Sequence, residues 1–97
     1  MRLIAKRAVR EFWEQYPEAM VPLQAWCKEV KRAAWSKAAE VKAKYGSASI
    51  VSSDRVVFNI CGNKFRLIAK INYRWGLVYV RFIGTHREYD QVDAEAV

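Results

Sequence analysis

Apolar residues recur at helical spacing along the first half of the chain and at alternate positions along the second, and the change falls near residue 55. Between Lys6 and Tyr16 the apolar positions Val9, Phe12, Trp13 and Tyr16 follow the i, i+3, i+4, i+7 rule of an amphipathic helix. Pro17 ends that helix or opens the next element. Pro22 stands early in a second helical pattern, where a missing N–H is tolerated. Its predicted stripe is Met20, Leu23, Trp26, Cys27, Val30 and Ala34, with Lys28, Glu29, Lys31 and Arg32 on the polar side. A third, shorter helix is expected from Lys37 to Tyr45, with Gly46 placed to stop it. Met1 to Ala5 fit either a first strand or the lead-in to a helix.

Residues 47–54 read as a connection. The runs 55–60, 64–73 and 77–83 are β-branched and aromatic, separated by Gly62-Asn63 and by Arg74-Trp75-Gly76. Three such runs joined by short turns predict an antiparallel meander, with the helices gathered on one of its faces. The fold class is therefore α+β, a small antiparallel sheet in the C-terminal half under N-terminal helices. One domain over 1–97 is expected, without repeats or low-complexity segments.

Register decides what that sheet presents. A two-residue turn at Gly62-Asn63 pairs Asn59 with Arg66, Val57 with Ile68 and Arg55 with Lys70. A second turn pairing Asn72 with Leu77 brings Lys70 to Tyr79 and Ile68 to Arg81. Alternation then gathers Arg55, Asn59, Lys64, Arg66, Lys70, Tyr79 and Arg81 on one face. The other face receives Val56, Phe58, Phe65, Leu67, Ala69, Ile71, Val78, Val80 and Phe82, a core face for the helix stripes.

Charge sharpens the picture. The chain carries 17 Lys and Arg against 10 Asp and Glu, a formal charge of +7. Residues 55–87 hold seven Lys or Arg and no Asp or Glu, while Glu88, Asp90, Asp93 and Glu95 crowd the last ten positions. A merely solvated face would intersperse both signs, and like charges directly opposite, such as Arg55 and Lys70, repel. A polyanion offsets that repulsion, so the basic face points to nucleic acid. A 53% hydrophobic composition argues for a packed core and against a disordered chain. No apolar run approaches the roughly 20 residues of a membrane span. Cys27 and Cys61 are expected to be reduced, so a cytoplasmic protein that engages no membrane is expected.

Candidate chemistry follows the third strand, in Gly84-Thr85-His86-Arg87-Glu88-Tyr89-Asp90. His86 is the only histidine and the side chain best suited to proton transfer near neutral pH, although a lone histidine is more often structural. Tyr89 could stack on a base, donate a proton or plug the end of the sheet, and Asp90 could orient His86 or cap a helical turn. Trp13 and Trp26 belong to apolar stripes, whereas Trp75 in a turn could stack on a nucleotide or pack locally. One histidine and two distant cysteines make no metal site, and no glycine-rich phosphate loop is present. Neither metal nor cofactor is expected.

The stretch RVVFNICGNKFRLI at 55–68 and the stretch RFIGTHREYD at 81–90 resemble the signatures of HigB-type toxins of the RelE-like superfamily. So does Phe12-Trp13 followed by Tyr16-Pro17. The resemblance spans nearly the whole chain and keeps the order of segments, and FNxxGN(K/E)xR followed by THxEYD is a specific combination. Cys61 and Phe65 stand where a polar residue and Tyr would be expected. The resemblance implies a small sheet with helices on one side and the toxin of a type II toxin–antitoxin pair. It implies a metal-independent endoribonuclease that acts on mRNA, on the ribosome in many members. The implied partner is a HigA-like helix-turn-helix antitoxin, in a hetero-oligomer with the toxin.

Asn59, Lys64 and Arg66 match the first signature, and Arg81, His86 and Tyr89 lie in or near the second. RNA carries its own 2′-OH nucleophile, so side chains need only orient it, move a proton and stabilise the phosphorane. Arg66 and Arg81 suit the scissile phosphate, and His86 and Tyr89 proton transfer. Arg55, Asn59, Lys64 and Lys70 would hold flanking RNA. Two other readings use the same basic face: a non-catalytic RNA- or ribosome-binding module, and an adaptor for an acidic protein.

Overall fold

The computed structural model describes all residues from Met1 to Val97. Strand β1 (Arg2–Ile4) leads into helix α1 (Lys6–Gln15), a 3-10 turn (Pro17–Ala19), α2 (Met20–Arg32) and α3 (Ala38–Lys44). Strands β2 (Ser49–Ile50), β3 (Arg55–Ile60), β4 (Phe65–Asn72) and β5 (Leu77–Thr85) follow, then a single turn of helix, α4 (His86–Tyr89). They form one five-stranded sheet in the order β1-β5-β4-β3-β2. The meander β3-β4-β5 lies at its centre, as the sequence patterning predicts.

Both edges were hidden from periodicity. Within Met1 to Ala5, Arg2–Ile4 form a strand, pairing parallel to β5 with Leu3 opposite Val78. Ala5 adopts φ 70, a left-handed conformation that turns the chain from strand into helix within one residue. Within the expected connection 47–54, Ser49 and Ile50 pair with Val57 and Val56. A two-residue edge strand carries too little pattern to be read from sequence.

The helical layer covers one face of the sheet. Val9 and Phe12 of α1, Leu23, Trp26, Cys27 and Val30 of α2 and Val41 of α3 bury against Val56, Phe58, Phe65, Leu67, Ala69, Ile71, Val78 and Val80. Aromatic edges lock the layers: Phe12 meets Phe65 edge-on at 5.1 Å, and Trp26 meets Phe58 at 5.3 Å. Each such fully buried side chain contributes roughly 1.5–3 kcal/mol. Tyr45 packs on Phe58 and donates its hydroxyl to Glu29 of α2. Burial, with the Glu29 carboxylate beside it, pushes the Tyr45 phenol well above its ordinary range.

Two stripe positions fall outside the core. Met20 is exposed because α2 begins there on the 3-10 turn, and Ala34 lies beyond the end of α2 at Arg32. The third helix is shorter at both ends than the expected 37–45.

Ala5→Gly should relieve the left-handed strain and stabilise the fold by about 0.5–1 kcal/mol. Urea denaturation checks this, and a lower midpoint would mean that the alanine methyl contributes packing that outweighs the strain.

Candidate functional site

The pairing of β3 with β4 follows the expected register, with Arg55 opposite Lys70, Val57 opposite Ile68 and Asn59 opposite Arg66. The pairing of β4 with β5 starts as expected, at Asn72 with Leu77 and Lys70 with Tyr79. It then slips. Ala69 pairs with Val80 but Ile68 with Phe82, leaving Arg81 as the extra residue of a β-bulge. The expected pairing of Ile68 with Arg81 is corrected accordingly. Phe82, expected in the core face, shares the outer face with Ile68, and Ile83 turns to the core in its place. Val78, Val80 and Phe82 alternate regularly in sequence, so the extra residue left no break in the pattern until the adjacent pair Phe82-Ile83.

Beyond the bulge, Gly84 stands across from Arg66 and Thr85 from Phe65. Thr85 caps α4 in a reciprocal box: the Glu88 N–H donates to Thr85 Oγ1 at 3.3 Å, and the Thr85 N–H donates to Glu88 Oε1 at 2.9 Å. N-capping therefore belongs to Thr85, whereas exposed Asp90 is the C-cap residue and closes the turn through its own N–H to the His86 carbonyl. Thr-x-x-Glu at 85–88 is a legible signature that the expectation for Asp90 passed over. The box sets α4 over the end of the sheet, where Tyr89 packs on Phe82 with ring centroids 6.5 Å apart.

Arg66 is the centre of the cluster. Its guanidinium donates to Asn59 across the ladder and to Asn63 Oδ1 at 3.2 Å, and lies 5.8 Å from the centroid of the Tyr89 ring. Asn59 is fixed in turn by donating to the Ser47 carbonyl at 3.0 Å. Asn63 was not singled out from sequence, since its role depends on a turn bringing it back over Arg66. His86 is half-buried at the start of α4 and its imidazole makes no hydrogen bond. Arg81 and Lys70 are exposed and enter no ion pair.

Two basic residues lie outside this cluster. Lys64 belongs to the tip of the β3–β4 hairpin, where Cys61 and Gly62 both have positive φ and break the strand alternation. Its ammonium pairs with Glu18 at 3.2 Å, on the side of the 3-10 turn, so alternation misplaced it beside Arg66. Arg55 is only 9% exposed; it bonds the Val97 carbonyl at 2.9 Å and Asp54 at 3.4 Å. Val57 and Ile68 share its face and are equally hidden, although neither joins the core under the helices. The acidic C-terminal segment thus folds back over part of the outer face. The repulsion expected between Arg55 and Lys70 is offset within the chain itself.

What remains together around Arg66 is Asn59, Asn63 and Tyr89, while Arg81 is exposed at the bulge of β5 and His86 opens α4. The molecule's cavities lie elsewhere, among the helices and the 33–35 segment. A planar guanidinium donor beside an aromatic ring suits a phosphate with an attached base. No group of three His, Cys, Asp or Glu stands close enough together to bind a metal ion.

A methyl at Gly84 would lie 2.7 Å from Phe82 Cζ and 3.0 Å from Glu88 Oε1. Gly84→Ala should therefore destabilise the protein by about 1–3 kcal/mol and loosen α4. Denaturation together with hydrogen exchange at the Glu88 amide tests this; an unchanged midpoint with full protection would refute the close packing.

Comparison with known proteins gives the chain a family. The family described as HigB_toxin, RelE-like toxic component of a toxin-antitoxin system, matches residues 19–92, from the end of the 3-10 turn through α4. The mRNA interferase toxin HigB of Escherichia coli K12 is 29% identical over 92 residues, covering 93% of this chain and 88% of that protein. The mRNA interferase HigB of Shigella flexneri is similar to the same extent, 29% over 92 residues.

Proposed function

The chain belongs to the HigB toxin family, the RelE-like toxic component of a toxin–antitoxin system, and on that premise we propose that it is an endoribonuclease that cuts mRNA without a metal ion. The relatives named mRNA interferase support the activity. The observation that carries the reading is the setting of Arg66, held between Asn59, Asn63 and the Tyr89 ring at the edge of an open basic surface.

RNA supplies the nucleophile. The 2′-OH attacks the adjacent phosphorus, the bond to the 5′-oxygen breaks, and the products carry a 2′,3′-cyclic phosphate and a 5′-hydroxyl. Charge accumulates on the phosphorane oxygens, where Arg66 and Arg81 stabilise it. The asparagine bonds pre-orient Arg66, so little reorganisation is needed at the moment of reaction. His86 moves the proton, taking it from the 2′-OH or giving it to the leaving oxygen. Tyr89 stacks on the neighbouring base or serves as the second proton-transfer group. Lys70 holds a flanking phosphate, Asn59 the backbone near Arg66, and Lys64 reaches a phosphate at the hairpin tip by exchanging Glu18 for it. Arg55, buried and bonded to Asp54 and Val97, holds the C-terminal segment instead of RNA.

Family membership implies an antitoxin partner. We propose a HigA-like helix-turn-helix protein in a hetero-oligomer with this chain, and mRNA on the ribosome as the substrate. The chain would act in the cytoplasm; no helix is long and apolar enough to cross a membrane.

Arg66→Ala should cost about 2–4 kcal/mol of transition-state stabilisation, read as kcat on an mRNA substrate with and without ribosomes. A 2′-deoxy substitution at the cut site should abolish cleavage while leaving binding largely intact. Cleavage of the 2′-deoxy substrate would contradict the mechanism. Full activity of Arg66→Ala would remove the residue from its role. Binding of RNA with no cleavage under any of these conditions would leave the face as a non-catalytic binding surface.

A further inference from the structure

The helical layer, on the side of the sheet away from the proposed cleavage site, carries a second concentration of positive charge. Lys6, Arg10 and Trp13 succeed one another on α1 at spacings of four and three residues and therefore share one face. Gln24, Cys27, Lys28 and Lys31 do the same on α2. The two faces meet: all seven residues line one groove of about 320 Å³. Lys6 stands against Lys31, so the helices run antiparallel along it. Four cations line the groove and no carboxylate does.

Ordinary surface chemistry would place an acid here. Like charges at such separations repel, and the usual arrangement on a helix pair intersperses Glu with Lys. The acids of these helices stay outside the groove. Glu11 pairs with Arg7 at 3.1 Å, Glu29 accepts from the Tyr45 hydroxyl, and Glu11 and Glu14 line a neighbouring cavity that shares Lys6 and Arg10 with the groove. None of Lys6, Arg10, Lys28 and Lys31 enters an ion pair. The Lys31 ammonium beside it, with Arg10 adding to the effect, holds Lys6 below the usual lysine range. An anion seated in the groove would remove that repulsion and let Lys6 take its proton more tightly.

The occupant must bring several negative charges at short spacing, because a single carboxylate would satisfy one cation and leave three. Exposed ammonium groups on long stems suit phosphates as point charges, and Trp13 offers the only aromatic surface in the groove. We propose that the groove between α1 and α2 binds a run of closely spaced phosphates, in a nucleic-acid backbone or in a free polyphosphate, independently of the surface around Arg66.

The proposal is tested on the free chain by mapping amide shifts during titration with sodium tripolyphosphate, and separately with a short all-2′-deoxy oligonucleotide that cannot be cleaved. Shifts are expected at Lys6, Arg10, Trp13, Lys28 and Lys31 with at least one of these probes. They should persist in Arg66→Ala, which separates this site from the proposed cleavage surface. A groove response to tripolyphosphate alone identifies a free polyphosphate as the source; a response to the oligonucleotide identifies a nucleic-acid backbone. Affinity at the groove should fall with added salt, and the double variant Lys28→Glu, Lys31→Glu should weaken it at least tenfold. Replacement of both by Arg should preserve it. Shifts confined to the sheet face, or a charge-reversed variant that folds and binds like the parent, would overturn the proposal. So would a groove that responds to neither probe.

Discussion

Between Ile68 and Ala69 the ladder joining β4 to β5 slips by one residue, and every β5 side chain beyond that point changes face. Without the slip, Phe82 would lie in the core and Ile83 outside. With it, Phe82 supplies an apolar seat on the outer face and Gly84 falls opposite Arg66. A residue with no side chain is needed there, since Phe82 and Glu88 occupy the space that a Cβ would take. The Thr85–Glu88 capping box then sets α4, and Tyr89 comes to lie over the Arg66 guanidinium. One inserted residue thus converts the end of a regular strand into a surface where three separate segments meet.

The helices and the central meander were legible because their signals are local and redundant. The stripes Val9-Phe12 and Leu23-Trp26-Cys27-Val30 bury as their spacing requires, and β3 pairs with β4 in the expected register, although the connection is the four residues 61–64 and not a two-residue turn. What escaped notice depends on contacts distant in sequence or on departures from strict alternation. The parallel strand β1 has no turn to announce its partner. The bulge at Arg81 leaves the apolar alternation of β5 intact up to Phe82. Lys64 follows two positive-φ residues, so strand periodicity no longer governs where its ammonium goes. Of the outer-face residues, Asn59 and Arg66 were placed by register alone, whereas Tyr89 joins them only through the bulge and the cap.

The acidic C-terminal segment gives the charge distribution a second meaning. Composition suggested a basic sheet followed by an acidic tail, as though the two were independent. In the fold they touch: Arg55 is buried beneath the tail and bonded to Val97, and Val57 and Ile68 are hidden on the same face. The basic face is divided into a covered part, where Arg55 holds the tail, and an open part around Arg66 and Arg81. The family likeness through residue 92 includes all of the open part.

The most direct test of a cleavage surface built by the bulge is a structure of the chain with an RNA carrying a 2′-deoxy nucleotide at the scissile position. The expected result is the scissile phosphate within hydrogen-bond reach, about 3 Å, of both Arg66 and Arg81, with a flanking base against Tyr89. RNA bound with its scissile phosphate remote from both guanidinium groups would contradict it.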